Sequence, residues 1–247
     1  MMNIVIPMAG AGSRFANAGY TKPKPFIDVL GKPMICHVLD NLNMPNVKFI
    51  MLTRAEHYIN EQETINWIRE NYNVQFVLID KLTEGAACTV LHAHRLINND
   101  NSLLIANSDQ IVDMNICDYI NNSEERELDG SVLCFQDNDK KWSYAKLDNN
   151  GFITEIREKE VISDYATVGI YYFKRGRDFV ENAIDMIVRN ERVNNEFYVA
   201  PVYNYAIKKG GKFGIYSIDK KTMNGIGTPE DLNKYVEKMS NKIGALV

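Results

Sequence analysis

The chain has 247 residues, of which 45% are hydrophobic and 24% charged, and its formal net charge is −4. This length suffices for one large α/β domain, and the composition is that of a soluble globular protein. No basic surplus indicates a nucleic-acid surface, and no apolar run is long enough to span a membrane. Because no signal peptide precedes the first predicted strand and the four cysteines are scattered, we expect a cytoplasmic protein.

Apolar β-type runs alternate with helical patterns through the first half of the chain, residues 1–128. The runs predict strands at 3–6, 47–53, 74–80 and 102–106. Between them the spacing of apolar residues predicts helices over 34–42, 56–72 and 86–96. Strands that alternate with helices predict a parallel, doubly wound sheet, whose ligands bind beyond the carboxyl ends of the strands.

The second half, residues 129–247, has a different pattern that is richer in strands. We predict strands at 131–135, 144–147, 152–156, 167–173 and 213–218, and helices at 178–188 and 198–208. A last helix begins after Thr228, with Pro229 at its first position. No linker separates the halves, so we expect a single domain over 1–247. Its fold class is α/β, with a Rossmann-like, doubly wound, mixed but mainly parallel sheet and a β-rich insertion.

The loop after the first strand combines glycines with positive charge. Gly10 and Gly12 precede Arg14, and Lys22 and Lys24 follow. Glycine lets a backbone approach a ligand closely, and consecutive N–H groups in such a loop form an anion-binding concavity. This combination suits a triphosphate, although a tight turn with ordinary surface charges explains the glycines alone.

Two common nucleotide-binding motifs do not fit this loop. A dinucleotide fingerprint needs a third glycine where the chain has Phe15, and an acid after the second strand, where it has Arg54. The sequence also lacks the G-x-x-x-x-G-K-[ST] pattern of a P-loop.

Several segments together form a more specific pattern. The loop residues Gly10-x-Gly12-Ser13-Arg14 are followed by Pro23-Lys24-Pro25 and, eight residues after Lys24, by Lys32-Pro33-Met34. The pattern resembles the signature of the nucleotidyltransferases that act on sugar phosphates and related phosphomonoesters. Later motifs of that family are matched by Glu84-Gly85-Ala86-Ala87, Asp109, Glu158-Lys159, 163–171 and Gly227-Thr228-Pro229.

The resemblance implies that an acceptor phosphate attacks the α-phosphorus of a nucleoside triphosphate and that pyrophosphate leaves. It implies catalytic roles for Arg14 and Lys24, and Asp109 as the ligand of Mg²⁺, with Mn²⁺ as the alternative metal. It assigns nucleotide binding mainly to 1–128, at Met8, Ala9, Gly10, Ala11, Gly12, Ser13, Glu84, Gly85, Ala86, Thr89 and Ser108. It assigns acceptor binding to 129–247, at Glu158, Lys159, Gly169, Tyr171 and Glu196.

One position departs from the family pattern. Two residues before the glycine of G-T-P, the family commonly has an aspartate that supplies a second carboxylate to the metal, and this chain has Gly225. Asn224, another carboxylate or the phosphates alone would have to replace it. Elsewhere we interpret Trp142 and Tyr144 as core residues and Asp137-Asn138-Asp139 as a solvated loop.

The nucleotide and acceptor follow from resemblance to a narrower group. Ala9-Gly10, Ser13 and Thr89-Val90 resemble cytidylyltransferases, which implies CTP, with UTP or dTTP as alternatives. The runs at 4–15 and 83–90 resemble capsule-associated enzymes, which implies L-glutamine phosphate as the acceptor, in capsule phosphoramidate synthesis. Sugar 1-phosphates and polyol phosphates remain alternatives.

A glycosyltransferase and a non-catalytic nucleotide-binding module are the interpretations from other classes. A glycosyltransferase would bind a preformed nucleotide sugar on the same sheet and release nucleoside diphosphate. We expect small-molecule substrates and no nucleic-acid or membrane partner, and the sequence gives no prediction of oligomeric state.

Overall fold

The structure is a computed structural model that describes residues 1–244. Its strands are β1 Met2–Pro7, β2 Asp28–Val29, β3 Lys32–Pro33, β4 Val47–Arg54, β5 Val74–Ile79, β6 Leu103–Ala106, β7 Gln110–Val112, β8 Gly130–Gln136, β9 Ser143–Leu147, β10 Ile153–Glu158, β11 Tyr165–Phe173, β12 Phe213–Ile218 and β13 Met223–Gly225. Its α-helices are α1 Ser13–Asn17, α2 Met34–Leu42, α3 Ala55–Asn60, α4 Gln62–Asn71, α5 Ala86–Leu91, α6 His94–Ile97, α7 Ile116–Glu125, α8 Gly176–Val188, α9 Val202–Lys208 and α10 Pro229–Gly244.

A nine-stranded sheet organises the fold. Its main path runs β10-β9-β11-β6-β1-β4-β5, and β8 pairs with both β11 and β12. Strands β5, β4, β1 and β6 are parallel, whereas β11 pairs antiparallel to β6 and leads into the strands of the second half. The predicted α/β fold with a mixed, mainly parallel sheet is therefore confirmed.

The sheet is buried on both faces. In β1, Ile4 and Ile6 belong to one core cluster, Val5 belongs to the other, and all three side chains are fully buried. A central parallel strand covered on both sides needs apolar residues at every position. This requirement explains why the strand is visible in the sequence as a continuous apolar run. Among residues 1–244, no helix combines the length and the apolar character that crossing a bilayer requires.

Three predicted helices are shorter than expected. The helix predicted over 56–72 is divided into α3 and α4 at Glu61, whose φ of −111° is not helical. The helix predicted over 86–96 ends at Leu91, and α6 follows after a turn. The helix predicted from 198 begins only at Val202. Pro201 disfavours helical geometry in the residue before it, and the backbone of Phe197 is hydrogen-bonded to another loop.

Tyr203, in α9, contacts two neighbouring strands of the second half, β8 and β11, and its hydroxyl contributes to stability. The side chain is fully buried, its ring stacks on Phe173 at 4.4 Å, and its hydroxyl donates a shared hydrogen bond to the carbonyl oxygens of Ser131 (3.1 Å) and Tyr172 (2.9 Å). We expect Tyr203→Phe to lower the free energy of unfolding by about 1–2 kcal/mol, because buried carbonyls lose a donor.

Urea unfolding followed by circular dichroism measures this loss. Tyr72→Phe is the matched control, because the Tyr72 hydroxyl bonds Asp40 at the exposed surface, and its loss should be smaller. Equal midpoints for native protein and Tyr203→Phe would contradict the prediction.

Candidate functional site

A cleft of about 450 Å³ opens at the carboxyl ends of β1 and β6, and we refer to it as the first cleft. It lies at the sheet edge where ligands of doubly wound folds bind. The residues that line it come from the end of β1, the glycine loop, the turn after β6 and two later segments. They are Pro7, Met8, Gly10, Ala11, Gly12, Ser13, Arg14, Phe15, Lys24, Pro25, Asn107, Ser108, Asp109, Glu196 and Gly227.

Gly12 allows the glycine loop to pack closely on Lys24. It precedes α1 in the left-handed conformation, with φ +63° and ψ +20°. A Cβ at this position would lie 3.3 Å from the Cβ of Lys24. Both the dihedral angle and the short approach favour glycine. The loop is thus held against the residue that the resemblance assigns to catalysis.

An ion pair crosses the first cleft. The Lys24 ammonium donates to Oδ2 of Asp109, and about one fifth of each side chain is exposed. The main chain around Asp109 is fixed by β13, because the N–H of Ile226 donates to the carbonyl oxygen of Asp109 at 2.9 Å. Gly227 lies against the carboxylate, since a Cβ there would be 2.4 Å from Oδ2.

The donor set around Asp109 fits a divalent cation only if a substrate completes it. Within residues 1–244, no three His, Cys, Asp or Glu side chains converge as a metal cluster. Asn224 supplies no oxygen, because its side-chain carbonyl accepts from Lys238 at 2.6 Å and its amide donates to backbone carbonyls. The Cβ position of Gly225 faces open space. Asp109 and Glu196 are the carboxylates in the lining of the first cleft, and phosphate oxygens would have to supply further ligands.

A second cleft of about 240 Å³ adjoins the first, and Asn107 lines both. It lies between the β-rich second half of the chain and the turn after β6. Aromatic rings and side chains of both charges surround it. The lining residues are Ala86, Asn107, Gln110, Lys141, Trp142, Ser143, Glu158, Thr167, Val168, Gly169, Tyr171, Tyr198 and Val199.

Glu158 is the carboxylate of the second cleft. Its Oε2 accepts a hydrogen bond from the Ser143 hydroxyl. Burial raises the pKa of Glu158 above its ordinary value, while the Ser143 hydrogen bond and the Lys159 ammonium act in the opposite direction. The Lys159 ammonium itself donates to the Tyr198 hydroxyl at 2.8 Å. The cleft therefore holds a carboxylate that is costly to ionise without a cationic partner.

Residues 137–139 form a loop as predicted, with Asn138 and Asp139 exposed, but Asp137 is turned inward and supports the second cleft. Only 7% of its side chain is exposed, and it pairs with Lys220 at 2.8 Å. Burial alone would raise its pKa, but Lys220 and the backbone N–H groups of Asn138 and Asp139 together hold the pKa below its ordinary value. The same carboxylate accepts from Trp142 Nε1 at 3.2 Å, which orients the indole that lines the cleft.

The family model for nucleotidyl transferases matches residues 4–241. The chain belongs to the nucleotidyl transferase family. This match confirms the coarser part of the resemblance, an enzyme that transfers nucleotidyl groups, while the choice of CTP and of acceptor stays a prediction.

The chain is similar to curated proteins with different names. The bifunctional protein GlmU of Methanococcus maripaludis is 25% identical over 254 residues, which cover 98% of this chain and 57% of GlmU. The chain thus spans just over half the length of that relative. A UTP–glucose-1-phosphate uridylyltransferase, AglF of Haloferax volcanii, is 23% identical, and the match covers 98% of each protein.

Solved structures show the same fold. The nucleoside-diphosphate-sugar pyrophosphorylase of Vibrio cholerae superposes with a TM-score of 0.79 at 26% identity, over 95% of this chain and 99% of the other. A UDP-glucose pyrophosphorylase solved with UDP-glucose gives a TM-score of 0.80 at 18% identity, over 98% and 99% of the two chains.

The structure of this nucleotidyl transferase brings together most of the residues that the sequence singles out. Those in the first cleft are Met8, Gly10, Ala11, Gly12, Ser13, Arg14, Lys24, Ser108, Asp109 and Glu196. Those in the second cleft are Ala86, Glu158, Gly169 and Tyr171. The remaining ones, all within residues 1–244, lie outside both linings: Ala9, Glu84, Gly85, Thr89 and Lys159.

The contacts of these remaining residues lie away from the two linings, apart from that of Lys159 with Tyr198. Ala9 is buried, and the Thr89 hydroxyl bonds Thr83 and the carbonyl oxygen of Gly85. The Glu84 carboxylate is turned toward Arg192, with 2.8 Å between Oε2 and the guanidinium. Lys159 contacts Tyr198 from outside the second cleft. These contacts do not test the binding roles of the five residues, which stay predictions.

The prediction missed several lining residues, including Asn107, Gln110 and Trp142. Asn107 directly follows β6, so the rule that ligands bind at strand ends could have predicted it. Trp142 was interpreted as a core residue. It does pack edge-on against Phe135 at 5.3 Å, but it also lines the second cleft. The sequence alone does not distinguish an aromatic residue that makes both contacts from one that is only part of the core.

The half-buried Glu158 should make stability depend on pH. Because burial raises the pKa of Glu158, the unfolded chain ionises first as pH rises past the ordinary glutamate value of 4.5. The native protein then loses stability until pH exceeds the raised pKa, and the loss persists above it. We expect Glu158→Gln to melt at a higher temperature than native protein at pH 7, and at about the same temperature at pH 4.

Thermal unfolding at a series of pH values tests this expectation. Exposed Glu160→Gln is the matched control and should show no such difference. A Glu158→Gln protein that is less stable than native protein at pH 7 would show that the carboxylate is compensated in the folded state.

Proposed function

We propose that this nucleotidyl transferase is a cytidylyltransferase that joins the cytidylyl group of CTP to a small phosphomonoester and releases pyrophosphate. The observation that carries the proposal is the first cleft. There a glycine loop and two cations, Arg14 and Lys24, face Asp109, and the cleft continues through Asn107 into a second, acceptor-sized cleft.

The proposed reaction joins two anions, so charge repulsion is the obstacle. An oxygen of the acceptor phosphate forms a bond to the α-phosphorus, and the bond between that phosphorus and the α–β bridging oxygen breaks. Lys24 balances the charge that develops around the α-phosphorus, and Arg14 holds the β- and γ-phosphates of the departing pyrophosphate. Positioning and charge neutralisation supply most of the catalysis in phosphoryl transfer, so no covalent enzyme intermediate is required.

Asp109 is the residue that would hold a divalent cation in this site. Such a cation, Mg²⁺ or Mn²⁺, supplies neutralisation of phosphate charge when it is bound. Because the side chain of Asn224 is committed to Lys238 and residue 225 is glycine, neither replaces the family's second carboxylate, and Glu196 is the other carboxylate that lines the first cleft. Lys24, which pairs with the same carboxylate oxygen, must reorient toward phosphate as the substrates bind.

The choice of CTP rests on the resemblance of Ala9-Gly10, Ser13 and Thr89-Val90 to cytidylyltransferases. UTP with a sugar 1-phosphate is the second candidate, because AglF is described as a UTP–glucose-1-phosphate uridylyltransferase. The two candidates use the same reaction and differ only in the base and the acceptor.

The charges of the second cleft support an acceptor that is itself a zwitterion. The Glu158 carboxylate suits an ammonium group, and Trp142 and Tyr171 offer aromatic surface beside it. Lys141, whose ammonium lies 4.8 Å from the Trp142 ring centre, suits a carboxylate. Lys141 also pairs with Asp139 at 3.6 Å, and the sugar ring of glucose 1-phosphate carries no charged group to meet Glu158 or Lys141. L-Glutamine phosphate, as used in capsule phosphoramidate synthesis, has both groups and is our proposed acceptor.

One assay tests the proposed function. Pyrophosphate release is measured with CTP, UTP, dTTP and ATP against L-glutamine phosphate, glucose 1-phosphate and a polyol phosphate. We expect the highest turnover with CTP and L-glutamine phosphate. Highest turnover with UTP and glucose 1-phosphate would establish the second candidate, and release of nucleoside diphosphate from a nucleotide sugar would indicate a glycosyltransferase.

Lys24 should be essential for turnover. We expect Lys24→Ala and Asp109→Ala each to lower kcat about a hundredfold or more, the loss typical of removing a group that stabilises transition-state charge. Lys22→Ala is the matched control, because Lys22 is largely exposed and pairs with Glu61 at 3.7 Å, and it should retain native turnover. Near-native turnover by a folded Lys24→Ala protein would rule out the proposed mechanism.

Gly225 should limit metal binding in the absence of nucleotide. We expect Gly225→Asp to bind Mn²⁺ at least about tenfold more tightly than native protein, because a second carboxylate adds charge to the site and its Cβ meets open space. Electron paramagnetic resonance of free Mn²⁺ measures the affinity without turnover. Asn224→Asp is the control, since its carboxylate would meet Lys238. Equal affinities for native protein and Gly225→Asp would place the metal elsewhere.

A further inference from the structure

Residues 193–199 form a segment that borders both clefts, and we call it the connecting segment. It begins with a tight turn in which Val193 and Glu196 exchange backbone hydrogen bonds of 3.0 Å. The two central residues, Asn194 and Asn195, have φ of +50° and +62°. Positive φ at both central positions defines a type I′ turn, and asparagine tolerates it better than most residues.

Side chains of the connecting segment alternate between the clefts and the core. Glu196 lines the first cleft, and Tyr198 lines the second. Phe197, between them, is buried among core residues with 1% of its surface exposed. A shift of this segment would therefore move one wall of each cleft at the same time.

The connecting segment is hydrogen-bonded to the loop 84–87. The N–H of Phe197 donates to the carbonyl oxygen of Glu84 at 2.7 Å, and the N–H of Ala87 donates to the carbonyl oxygen of Phe197 at 3.0 Å. Gly85 lies between these bonds with φ +117°, where a Cβ would be 2.5 Å from the Phe197 carbonyl oxygen. Only glycine permits this close approach.

Arg192 contacts both the connecting segment and the loop 84–87 from outside the clefts. Its guanidinium pairs with the Glu84 carboxylate at 2.8 Å and lies 4.4 Å from the centre of the Phe197 ring. It also donates to Oδ1 of Asn190 at 2.5 Å and to the carbonyl oxygen of Asn195 at 3.5 Å. Among residues 1–244, Arg192 does not line either cleft.

We propose that Arg192 is a positioning residue that holds the connecting segment and the loop 84–87 as one preformed unit, to which nucleotide and acceptor both bind. This inference rests on the proposed function for the identity of the two substrates. This unit is already ordered in the native protein. The binding of one substrate therefore does not change the affinity for the other. Without Arg192, the first substrate must order the unit, and the second then binds to a prepared site.

Hydrogen exchange tests the structural half of the proposal independently of turnover. In Arg192→Ala, we expect faster amide exchange in peptides that contain Ala87 and Phe197, and a return toward native protection when α,β-methylene-CTP is added. Arg189→Ala is the matched control, since the Arg189 guanidinium lies 5.9 Å from the Tyr205 ring, away from both loops, and it should exchange as native protein does.

Steady-state kinetics with CTP and L-glutamine phosphate test the functional half. For Arg192→Ala, we expect the KM of each substrate to rise about fivefold to tenfold when the other is scarce, which matches the loss of one ion pair and one cation–π contact. At saturating concentrations of the other substrate, each KM should approach the native value, and kcat should change less than twofold. Arg192→Lys keeps a positive charge near Glu84, so its KM values should lie between those of native protein and those of Arg192→Ala.

The outcomes separate this proposal from the proposed function. A native enzyme that does not turn over CTP and L-glutamine phosphate contradicts those substrates, while exchange at Ala87 and Phe197 still tests Arg192. Unchanged exchange in Arg192→Ala, or equal acceleration in Arg189→Ala, would overturn the positioning role. So would raised KM values that do not depend on the other substrate.

Discussion

The ion pair between Lys24 and Asp109 joins two parts of the chain that are 85 residues apart in sequence. Both side chains are mostly withdrawn from solvent, so each is stable there chiefly because the other is present. Holding them together requires β1 and β6 to be neighbours with their carboxyl ends at one edge, and the parallel pairing of Val5 with Ile105 fixes that register. The glycine loop then brings Lys24 across the end of β1, and β13 holds Asp109 from the other side.

The parallel half of the fold was predictable because of how it is buried. Strands covered on both faces need uninterrupted apolar runs, and the runs at 3–6, 47–53 and 102–106 fall within β1, β4 and β6 or overlap them closely. Helix interruptions were not predictable in the same way. Apolar spacing continues through Glu61, so periodicity alone predicts one helix where the backbone forms two.

The first cleft was predictable from local motifs, whereas the second cleft was not. Most of the first cleft comes from short stretches that directly follow β1 and β6, and the sequence shows them as glycines, cations and an aspartate. The second cleft is assembled from side chains of separate segments, among them Trp142, Glu158 and Tyr198. Their approach depends on strand pairing in the second half and on the Asp137 carboxylate that orients the indole. No single stretch of sequence contains that information.

Under the proposed function, the charges of the first cleft also determine the form in which the nucleotide is bound. Arg14 and Lys24 contribute two positive charges, and Asp109 and Glu196 contribute two negative ones, so these side chains together are neutral. A free triphosphate would bring its full negative charge beside two carboxylates. A triphosphate that carries a divalent cation presents less net charge, and its cation can face Asp109 while its outer oxygens face Arg14. Because Gly225 stands where the family has a second metal-binding carboxylate, the nucleotide supplies part of the metal site. The protein therefore selects the complex of the nucleotide with its divalent cation.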